Sequence, residues 1–365
     1  MVFRVLSIIG VIALFVSGLA AFPTPAQNPR IELAVDTNDF NQDGLLAIFG
    51  GLRLQGEIGL PVGAGDINGD GRADIIFCGM YGSAGPGTRR NNGQVNFYLS
   101  DGRDSGFIDA ADPASNILTL FGADSGDLIG TSVATGDING DGIRDVALGA
   151  FGDDGPNNSR FNAGATYIVL GSPNFNLKAD LSAINVNGVP PPGIIVAYGS
   201  QANGRNGVWV DIADLDGDGF GDVIMGADQI NSGDRQHTGG ACVLFGGPAL
   251  PQVIDLQNLP PGVRMTRIVG NGREEHMGAA LHASDLNGDG FADIAIGASI
   301  FRDSGSYVTP DDQVSGHNDF GGSFDGRRAR CGEVYVLWGS QNWPAVIDLS
   351  NRPANSARVI GANSG

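Results

Sequence analysis

The residues best suited to chemistry form an acidic turn that the sequence repeats four times. The turns read GDINGDGRAD from Gly65, GDINGDGIRD from Gly136, ADLDGDGFGD from Ala213 and SDLNGDGFAD from Ser284. Counted from the first Asp, positions 1, 3, 5 and 9 are always Asp or Asn, and a glycine at position 6 permits a sharp bend. Such a bend converges the side-chain oxygens on one point, and position 7 adds its backbone carbonyl. Hard oxygen ligands without His or Cys are the set that calcium prefers.

The predicted metal ligands are the residues at positions 1, 3, 5, 7 and 9 of each turn. They are Asp66, Asn68, Asp70, Arg72, Asp74, Asp137, Asn139, Asp141, Ile143, Asp145, Asp214, Asp216, Asp218, Phe220, Asp222, Asp285, Asn287, Asp289, Phe291 and Asp293. Two carboxylates about 4 Å apart repel by about 4 kcal/mol at an effective dielectric near 20. A plain Asn-Gly or Asp-Gly turn between strands needs no such crowding. We therefore expect about four Ca²⁺ ions, bound with dissociation constants on the order of 10⁻⁴ to 10⁻³ M, as in extracellular modules.

The turns differ from the calcium loop of an EF-hand, which requires Glu at position 12 followed by a helix. Position 12 is apolar in all four turns: Phe77, Leu148, Met225 and Ile296. The residues after position 9 also alternate into a strand. The sequence therefore predicts calcium ligands in a β-turn frame.

A fifth acidic stretch, DFNQDG from Asp39, begins in the same way. Its ninth position is Ala47, and it lies only 27 residues before Asp66. We interpret Asp39, Asn41 and Asp43 as a degenerate turn without calcium.

The acidic turns belong to a longer internal repeat. Their first aspartates are separated by 71, 77 and 71 residues, and an apolar stretch ending in glycine precedes each turn by 15 or 16 residues. Each unit contains four short runs rich in Val, Ile, Leu and Tyr, which in the second unit read TSVATG, DVALGA, GATYIVLG and GIIVAYG. Outside the N-terminus no stretch has a sustained helical period. The repeat predicts an all-β fold, a β-propeller with four antiparallel strands per blade.

The repeat combines an apolar run ending in glycine, which reads FG in LLAIFG and ILTLFG, with an acidic turn such as GDINGDG and a strand such as DVALGA that ends in GA. This combination resembles the FG-GAP repeats of the integrin alpha-subunit β-propeller, over about residues 45–365. The resemblance implies calcium between the first and second strands and partner recognition on the opposite face. Two departures are visible. The Pro of GAP is missing, and the sequence has only four acidic turns, whereas integrin-like propellers have seven blades. The run LLAIFG at 45–50 is predicted to be a stray fourth strand, and the chain ends in VIGANSG. We therefore predict a C-terminally truncated seven-bladed ring.

The N-terminus has the pattern of a secretory signal. Arg4 precedes an apolar run from Val5 to about Ala21, and Pro23 and Pro25 follow. An uncleaved membrane anchor is the alternative, because the run is nearly long enough to span a bilayer. We expect a signal peptide over 1–21, a linker over 22–44 and a propeller over 45–365. The predicted blades cover about 57–122, 123–199, 200–270 and 271–361, and no membrane span remains after cleavage.

Composition excludes several classes of protein. The formal net charge is −19, from 40 acidic and 21 basic residues. This balance argues against a nucleic-acid partner, whose phosphates require Lys and Arg. Apolar residues make up 42% of the chain, enough to argue against disorder. Three well-separated cysteines do not form a disulfide scaffold, and Cys78 and Cys242 lie in apolar runs typical of buried thiols.

The longest loop on the face opposite the acidic turns is predicted at 299–331. Long loops on a rigid scaffold often bind partners. Its residues of the types found at interface hot spots are Tyr307, Phe320, Phe324, Arg327, Arg328 and Arg330. A disordered insertion without a partner is an equal alternative.

Catalytic motifs such as GxSxG and HExxH are absent from the sequence. His276 and His282, with Glu274 or Glu275, are side chains of metal-binding type within one short segment. Residues six apart on an extended strand are about 20 Å apart, so we interpret these side chains as capping groups. We predict a non-enzymatic, secreted or cell-surface calcium-binding propeller that binds a protein or extracellular-matrix ligand in adhesion or recognition. The alternative is the accessory propeller of an extracellular, phospholipase-like hydrolase whose catalytic domain is not in this chain.

Overall fold

The computed structural model of the chain describes residues 12–14, 46–49, 59, 61–83, 89–102, 106–109, 115, 117–298, 332–351 and 353–360. In the strands at 12–14, 46–49 and 106–107 only the backbone is described. Strand is the main regular secondary structure of the described residues, which also contain a single turn of α-helix, α1 (Ile184–Asn187), and 3₁₀ turns at Pro156–Asn158, Leu181–Ala183 and Leu349–Asn351.

The strands are short, as the spacing of glycine and apolar runs predicts. They are β1 (Ile12–Leu14), β2 (Leu46–Phe49), β3 (Val62–Gly65), β4 (Asp74–Gly79), β5 (Gln94–Tyr98), β6 (Gly106–Asp109), β7 (Ile117–Phe121), β8 (Val133–Gly136), β9 (Asp145–Ala150), β10 (Ala165–Val169), β11 (Ala179–Asp180), β12 (Ile194–Tyr198), β13 (Val210–Ala213), β14 (Asp222–Gly226), β15 (Gly240–Leu244), β16 (Val253–Asp255), β17 (Met265–Val269), β18 (Met277–Ser284), β19 (Asp293–Ala298), β20 (Glu333–Leu337), β21 (Val346–Asp348) and β22 (Ser356–Ile360).

Four sheets each contain four antiparallel strands in sequence order. They are β3-β4-β5-β7, β8-β9-β10-β12, β13-β14-β15-β17 and β18-β19-β20-β22, here called the first to fourth sheets. The second and third strands of the first three sheets are buried along their whole length, which explains their continuous apolar runs. The prediction of four-stranded antiparallel blades is confirmed.

A short fifth strand, which the sequence analysis missed, extends three of these sheets. It comes from the next repeat and pairs parallel to the fourth strand: β11 with β7, β16 with β12, and β21 with β17. The pair β2 and β6 repeats this arrangement, so the run LLAIFG takes the place of a fourth strand before the first sheet, as predicted. On its other side β2 pairs antiparallel with β1. The strand β1 lies inside the segment 1–21, which the sequence predicts to be a signal peptide. Cleavage of that segment stays a prediction.

The hydrophobic core lies between neighbouring sheets, because successive side chains of a strand point to opposite faces. In β9, Val146 and Leu148 join the core shared with the first sheet, whereas Ala147 joins the core shared with the third. The first strands β3, β8, β13 and β18 contact one another in order, as blades around an axis must. Within the described ranges, no strand joins the first sheet to the fourth.

Two of the cysteines lie in these cores, as predicted. Cys78 and Cys242 are buried free thiols. Burial raises the pKa of Cys242 to about 11 and that of Cys78 even further above its ordinary value. Both thiols are therefore protonated and unreactive at neutral pH.

The landmark glycines of the repeat mark places where two backbones meet. A Cβ on Gly199, which ends the apolar run IIVAYG of the second unit, would lie 2.1 Å from the carbonyl oxygen of Ala163. A Cβ on Gly149, the glycine of GA, would lie 1.9 Å from the carbonyl oxygen of Gly207 in the next repeat. A side chain at either position would collide with a backbone carbonyl, so only glycine fits. The repeated glycines of the FG-GAP pattern therefore reflect close approach of neighbouring backbone segments.

Candidate functional site

Each acidic turn connects the first strand of a sheet to the second, as predicted. In the second sheet, Gly140 N–H donates to Oδ1 of Asp137 at 2.7 Å and Gly142 N–H donates to its Oδ2 at 2.8 Å. Both glycines have positive φ, 76° and 83°, a conformation that favours glycine. The first aspartates of the other three turns, Asp66, Asp214 and Asp285, accept the corresponding pair of bonds. Position 1 therefore organises the backbone of the turn.

The aspartate at position 9 is fully buried in every turn: Asp74, Asp145, Asp222 and Asp293. Oδ2 of Asp145 accepts a bond from Ile138 N–H at 2.8 Å, and Oδ1 accepts one from Gly171 N–H at 2.8 Å. Because Gly171 follows the third strand, the acidic turns and the connections from third to fourth strand lie on the same side of the sheets. The same pair of bonds recurs at the other three position 9 aspartates.

Burial penalises the negative charge at position 9. It raises the pKa of Asp145 to about 6 and that of Asp222 to about 7, against the opposing effect of the backbone hydrogen bonds. The carboxylates at positions 5 and 1 add to the shift. A divalent cation in the turn would act in the opposite direction, because a nearby positive charge favours the ionised carboxylate.

The third turn brings three carboxylates together. One oxygen of each of Asp214, Asp216 and Asp218 lies within 4.8 Å of the others. Two oxygens bound to one Ca²⁺ at about 2.3–2.6 Å are separated by at most about 5 Å. The spacing therefore fits a shared calcium ion. In the second turn, Asn139 and Asp141 occupy positions 3 and 5, and each accepts an N–H two residues further on at 2.9 Å.

An arginine offsets the extra charge of the third turn. Position 3 is Asp216 here and asparagine in the other turns. The Arg264 guanidinium donates to the Asp216 carboxylate and lies over the Phe245 ring, 3.8 Å from its centroid. Arg264 is not predictable from the pattern of the turn, because it lies 48 residues from Asp216. With Arg264 included, the third turn has the same net charge as the fourth, which has three aspartates and no basic residue.

Neighbouring turns contact each other directly. The N–H at position 8 of one turn donates to the carbonyl at position 1 of the preceding turn: Arg144 to Asp66 at 2.9 Å, Gly221 to Asp137 at 2.6 Å and Ala292 to Asp214 at 2.9 Å. The Phe220 side chain, at position 7, covers Gly140 of the preceding turn, where a Cβ would lie 2.5 Å from the ring. The four turns therefore form one connected arc.

The opposite side of the sheets has its own repeated contact, an arginine clasp that the sequence analysis missed. Arg160 Nη1 lies 2.9 Å from Oδ1 of Asp255 at the end of the fifth strand β16, and it also donates to the carbonyl of Gly199. Two further clasps join Arg89 to Asp180 and Arg235 to Asp348. In the sequence, each clasp arginine begins an R-x-x-x-G spacing that precedes the third strand of its sheet. The glycines of this spacing are Gly93, Gly164 and Gly239.

The clasps stabilise the ionised aspartates. Partial burial acts to raise the pKa of Asp255, but hydrogen bonds from Arg160, the Gln257 N–H and Asn258 outweigh it and hold the pKa below its ordinary value. The pKa values of Asp180 and Asp348 are lowered in the same way. Each clasp therefore ties one repeat to the next with a charge pair that stays ionised at neutral pH.

The structure separates the two histidines that the sequence analysis weighed together. His282 is largely exposed on β18, and its Nδ1 lies 2.8 Å from Oδ2 of Asp211. His276 is buried just before β18 and stacks on His237, with ring centroids 5.6 Å apart. Glu274 lies beside both of these rings. Glu275 is buried and accepts bonds from Gly272 N–H and the Tyr335 hydroxyl.

Several predicted features lie outside the described residues. They are the loop at 299–331 with its partner-binding candidates Tyr307, Phe320, Phe324, Arg327, Arg328 and Arg330, the degenerate turn Asp39, Asn41 and Asp43, and Cys331. Among the described residues, no helix combines the length and hydrophobicity needed to cross a bilayer.

Comparison with known proteins gives matches to one repeat family. The model of the FG-GAP repeat matches residues 129–176 and 277–309. The chain is 30% identical over 174 residues to phosphatidylinositol-glycan-specific phospholipase D of Bos taurus, covering 47% of this chain and 18% of that protein. It is 28% identical over 193 residues to integrin alpha-PS2 of Drosophila melanogaster (50% and 12%), and 28% identical over 208 residues to integrin alpha-4 of Xenopus laevis (56% and 17%). The matched part spans less than a fifth of the length of each relative.

Proposed function

We propose that this chain, whose FG-GAP repeats fold as the blades of a β-propeller, is a secreted or cell-surface protein that binds calcium and recognises a protein or extracellular-matrix ligand. The observation that carries the proposal is the fourfold repetition of one oxygen-lined turn, with the same backbone hydrogen bonds each time. Repetition of both residue type and geometry indicates a shared ligand, and the oxygen set favours calcium.

Calcium in this proposal stabilises the propeller. Each turn binds one Ca²⁺ through the oxygens at positions 1, 3 and 5, the carbonyl at position 7 and the aspartate at position 9. The ion offsets the repulsion among the carboxylates. Because each turn donates a backbone bond to the turn before it, an ion that orders one turn also supports the contact between two blades.

Partner recognition is assigned to the face opposite the acidic turns. The described loops between second and third strands lie there and differ in sequence, as binding loops on a rigid scaffold do. The predicted binding loop at 299–331 falls in the sequence between β19 and β20, the second and third strands of the fourth sheet. The similarity to two integrin alpha subunits supports adhesion or recognition in place of catalysis.

Calcium-dependent binding tests the proposal. The chain is immobilised, and retention of suspended cells and of purified extracellular-matrix proteins is measured in calcium and in chelator. We expect retention that calcium supports and that the double variant Asp137→Asn, Asp285→Asn weakens. The control Lys178→Gln removes one charge from an exposed residue outside the turns and outside the loops between second and third strands, and it should keep the calcium dependence. Equal retention in calcium and chelator would contradict the proposal.

A second candidate function is that of an accessory propeller in an extracellular phospholipase-like hydrolase. The 30% identity to phosphatidylinositol-glycan-specific phospholipase D favours it. Antibodies raised against the chain distinguish the two candidates. If they precipitate an activity that cleaves glycosylated phosphatidylinositol from material secreted by the source cells, the second candidate is correct. If they precipitate adhesion activity alone, the first is correct.

A further inference from the structure

Three side chains of metal-binding type meet between the third and fourth sheets, on the face opposite the acidic turns. His237 lies in the loop between β14 and β15, and Glu274 and His276 lie between β17 and β18. Oε2 of Glu274 is 3.1 Å from Nδ1 of His237 and 3.6 Å from Nε2 of His276. One ligand atom of each side chain lies within 4.8 Å of the other two.

The fold places these residues through a backbone ladder that recurs at three successive blade interfaces. At the third interface, Glu274 N–H donates to the Gln236 carbonyl at 2.9 Å and His276 N–H donates to the His237 carbonyl at 3.1 Å. The corresponding bonds at the first two interfaces run from Gly126 to Arg90, Leu128 to Asn91, Asn203 to Phe161 and Arg205 to Asn162, at 2.7–3.2 Å. The backbone geometry therefore belongs to the repeat, and the side chains are what differ.

Only the third of these interfaces has a full set of metal ligands at the three repeated positions. The first has Asn91, Gly126 and Leu128, the second Asn162, Asn203 and Arg205, and the third His237, Glu274 and His276. All nine positions have positive φ, between 46° and 94°. Asparagine and glycine adopt this conformation more easily than histidine or glutamate. Histidine and glutamate therefore stand at two positions where the neighbouring repeats use asparagine or glycine, and His276 stands where they use leucine and arginine.

We propose that His237, Glu274 and His276 bind a divalent transition metal, with Zn²⁺ as the preferred ion, that clamps the third sheet to the fourth. In a tetrahedral zinc site with bonds of about 2.0–2.2 Å, neighbouring ligand atoms are about 3.3–3.5 Å apart. The distances from Oε2 of Glu274 to Nδ1 of His237 and to Nε2 of His276, 3.1 and 3.6 Å, lie on either side of this range. Two imidazoles and one carboxylate select zinc over calcium. His237 and Glu274 are partly exposed, which leaves the fourth position to water.

The surroundings of His276 support this assignment. Its Nδ1 is buried and has no hydrogen-bond partner among the described residues, and the same is true of Oδ1 of the buried Asp228. Asp228 is close enough for its charge to act on the His276 ring. Metal-ligating histidines usually direct their second ring nitrogen to a carboxylate or carbonyl.

Cobalt substitution tests the site. The purified chain, stripped of metal and returned to saturating calcium, is titrated with Co²⁺ while its visible absorption is recorded, and Zn²⁺ is then added. We expect the intense bands of four-coordinate Co²⁺, saturating at one ion per chain and abolished by Zn²⁺. His237→Asn and Glu274→Asn should each weaken Co²⁺ binding at least about tenfold, since even the loss of an outer-shell partner costs a metal site about 10–100-fold in affinity.

The variants are chosen to preserve the fold. Asn162 and Asn203 already occupy the equivalent positions with φ of 46° and 59°, so melting curves in calcium should match those of the parent. His282→Asn, which removes an exposed histidine elsewhere, should leave Co²⁺ binding unchanged. Absence of the bands in the parent chain, or unchanged affinity in both asparagine variants, would overturn the proposal. Because calcium is present throughout, these outcomes are independent of whether the acidic turns bind calcium.

Discussion

The two faces of the propeller are built in different ways. On the acidic-turn face, each predicted site comes from nine consecutive residues, and the residue types are nearly the same in all four turns. On the opposite face, contacts join distant residues: 95 positions separate Arg160 from Asp255, and 37 separate His237 from Glu274. There the backbone ladder repeats while the side chains change. One face is therefore specified locally and uniformly, and the other through blade packing, which leaves its side chains free to differ between interfaces.

The largest effect is expected for the buried aspartate of an acidic turn. Asp145→Ala removes the acceptor of two buried backbone N–H groups, those of Ile138 and Gly171. At about 1–3 kcal/mol for each unsatisfied donor, the free energy of unfolding should fall by about 2–6 kcal/mol. Urea denaturation in chelator measures this loss without the contribution of calcium.

Asp141→Ala is the matched control, because Asp141 is an exposed residue of the same turn. In chelator it should change stability by less than about 1 kcal/mol, as surface substitutions do. An equal loss in the two variants would remove the distinction between a structural position 9 and a ligand at position 5.

The next largest effect is expected for a clasp on the opposite face. Arg160→Gln breaks a partly buried two-oxygen contact with Asp255 and should cost about 1.5–3 kcal/mol at neutral pH, the range for hydrogen bonds to charged groups. The pKa of Asp255 is lowered in the folded state. The clasp therefore contributes fully above the ordinary carboxyl pKa of 3.8 and less as the pH falls through the lowered value. Urea denaturation of parent and variant at pH 7 and below pH 3.8 checks both statements.

The exposed pair of Arg72 and Asp70 provides the control for the clasp. Arg72→Gln should cost at most about 1 kcal/mol, because exposed ion pairs contribute little. A clasp variant no more costly than this one would show that the clasps do not hold neighbouring repeats together.

A smaller effect of opposite sign is expected at a pair of buried carboxyl groups between the first and second sheets. Burial, reinforced by the charge of Asp153, raises the pKa of Asp127. A raised pKa means that the stability present at low pH is lost as the pH rises through the folded-state value. Asp127→Asn should therefore melt a few degrees higher than the parent at pH 8, and at nearly the same temperature below the ordinary carboxyl pKa of 3.8. A lower melting temperature at pH 8 would instead indicate that a cation pairs with this carboxylate.

The smallest effect concerns the charge balance of the third turn. Because Arg264 offsets Asp216, Arg264→Gln should tighten calcium binding at this turn and Asp216→Asn should weaken it. Each change should be at most about 1 kcal/mol, or about fivefold in affinity. The double variant should return close to the parent affinity. Calcium titration by calorimetry measures the differences, and an unchanged or weakened affinity in Arg264→Gln would contradict the pairing.

The sequence predicts what is local and repeated. The four-strand blades and the buried thiols Cys78 and Cys242 follow from short apolar runs at constant spacing, and the structure confirms them. The fifth strands escape prediction because a strand as short as Ala179–Asp180 has no measurable period. Arg264 and the approach of His237 to His276 depend on packing between repeats, so no local pattern marks them. The clasp arginines have an R-x-x-x-G spacing, but their aspartates lie 91, 95 and 113 residues away, so the pairing depends on the fold.

Calcium anomalous scattering from crystals grown in calcium tests the central claim most directly. The account predicts one anomalous peak in each of the four acidic turns, about 2.3–2.6 Å from the oxygens of positions 1, 3 and 5. Turns without anomalous density, with those side chains directed into solvent, would contradict it.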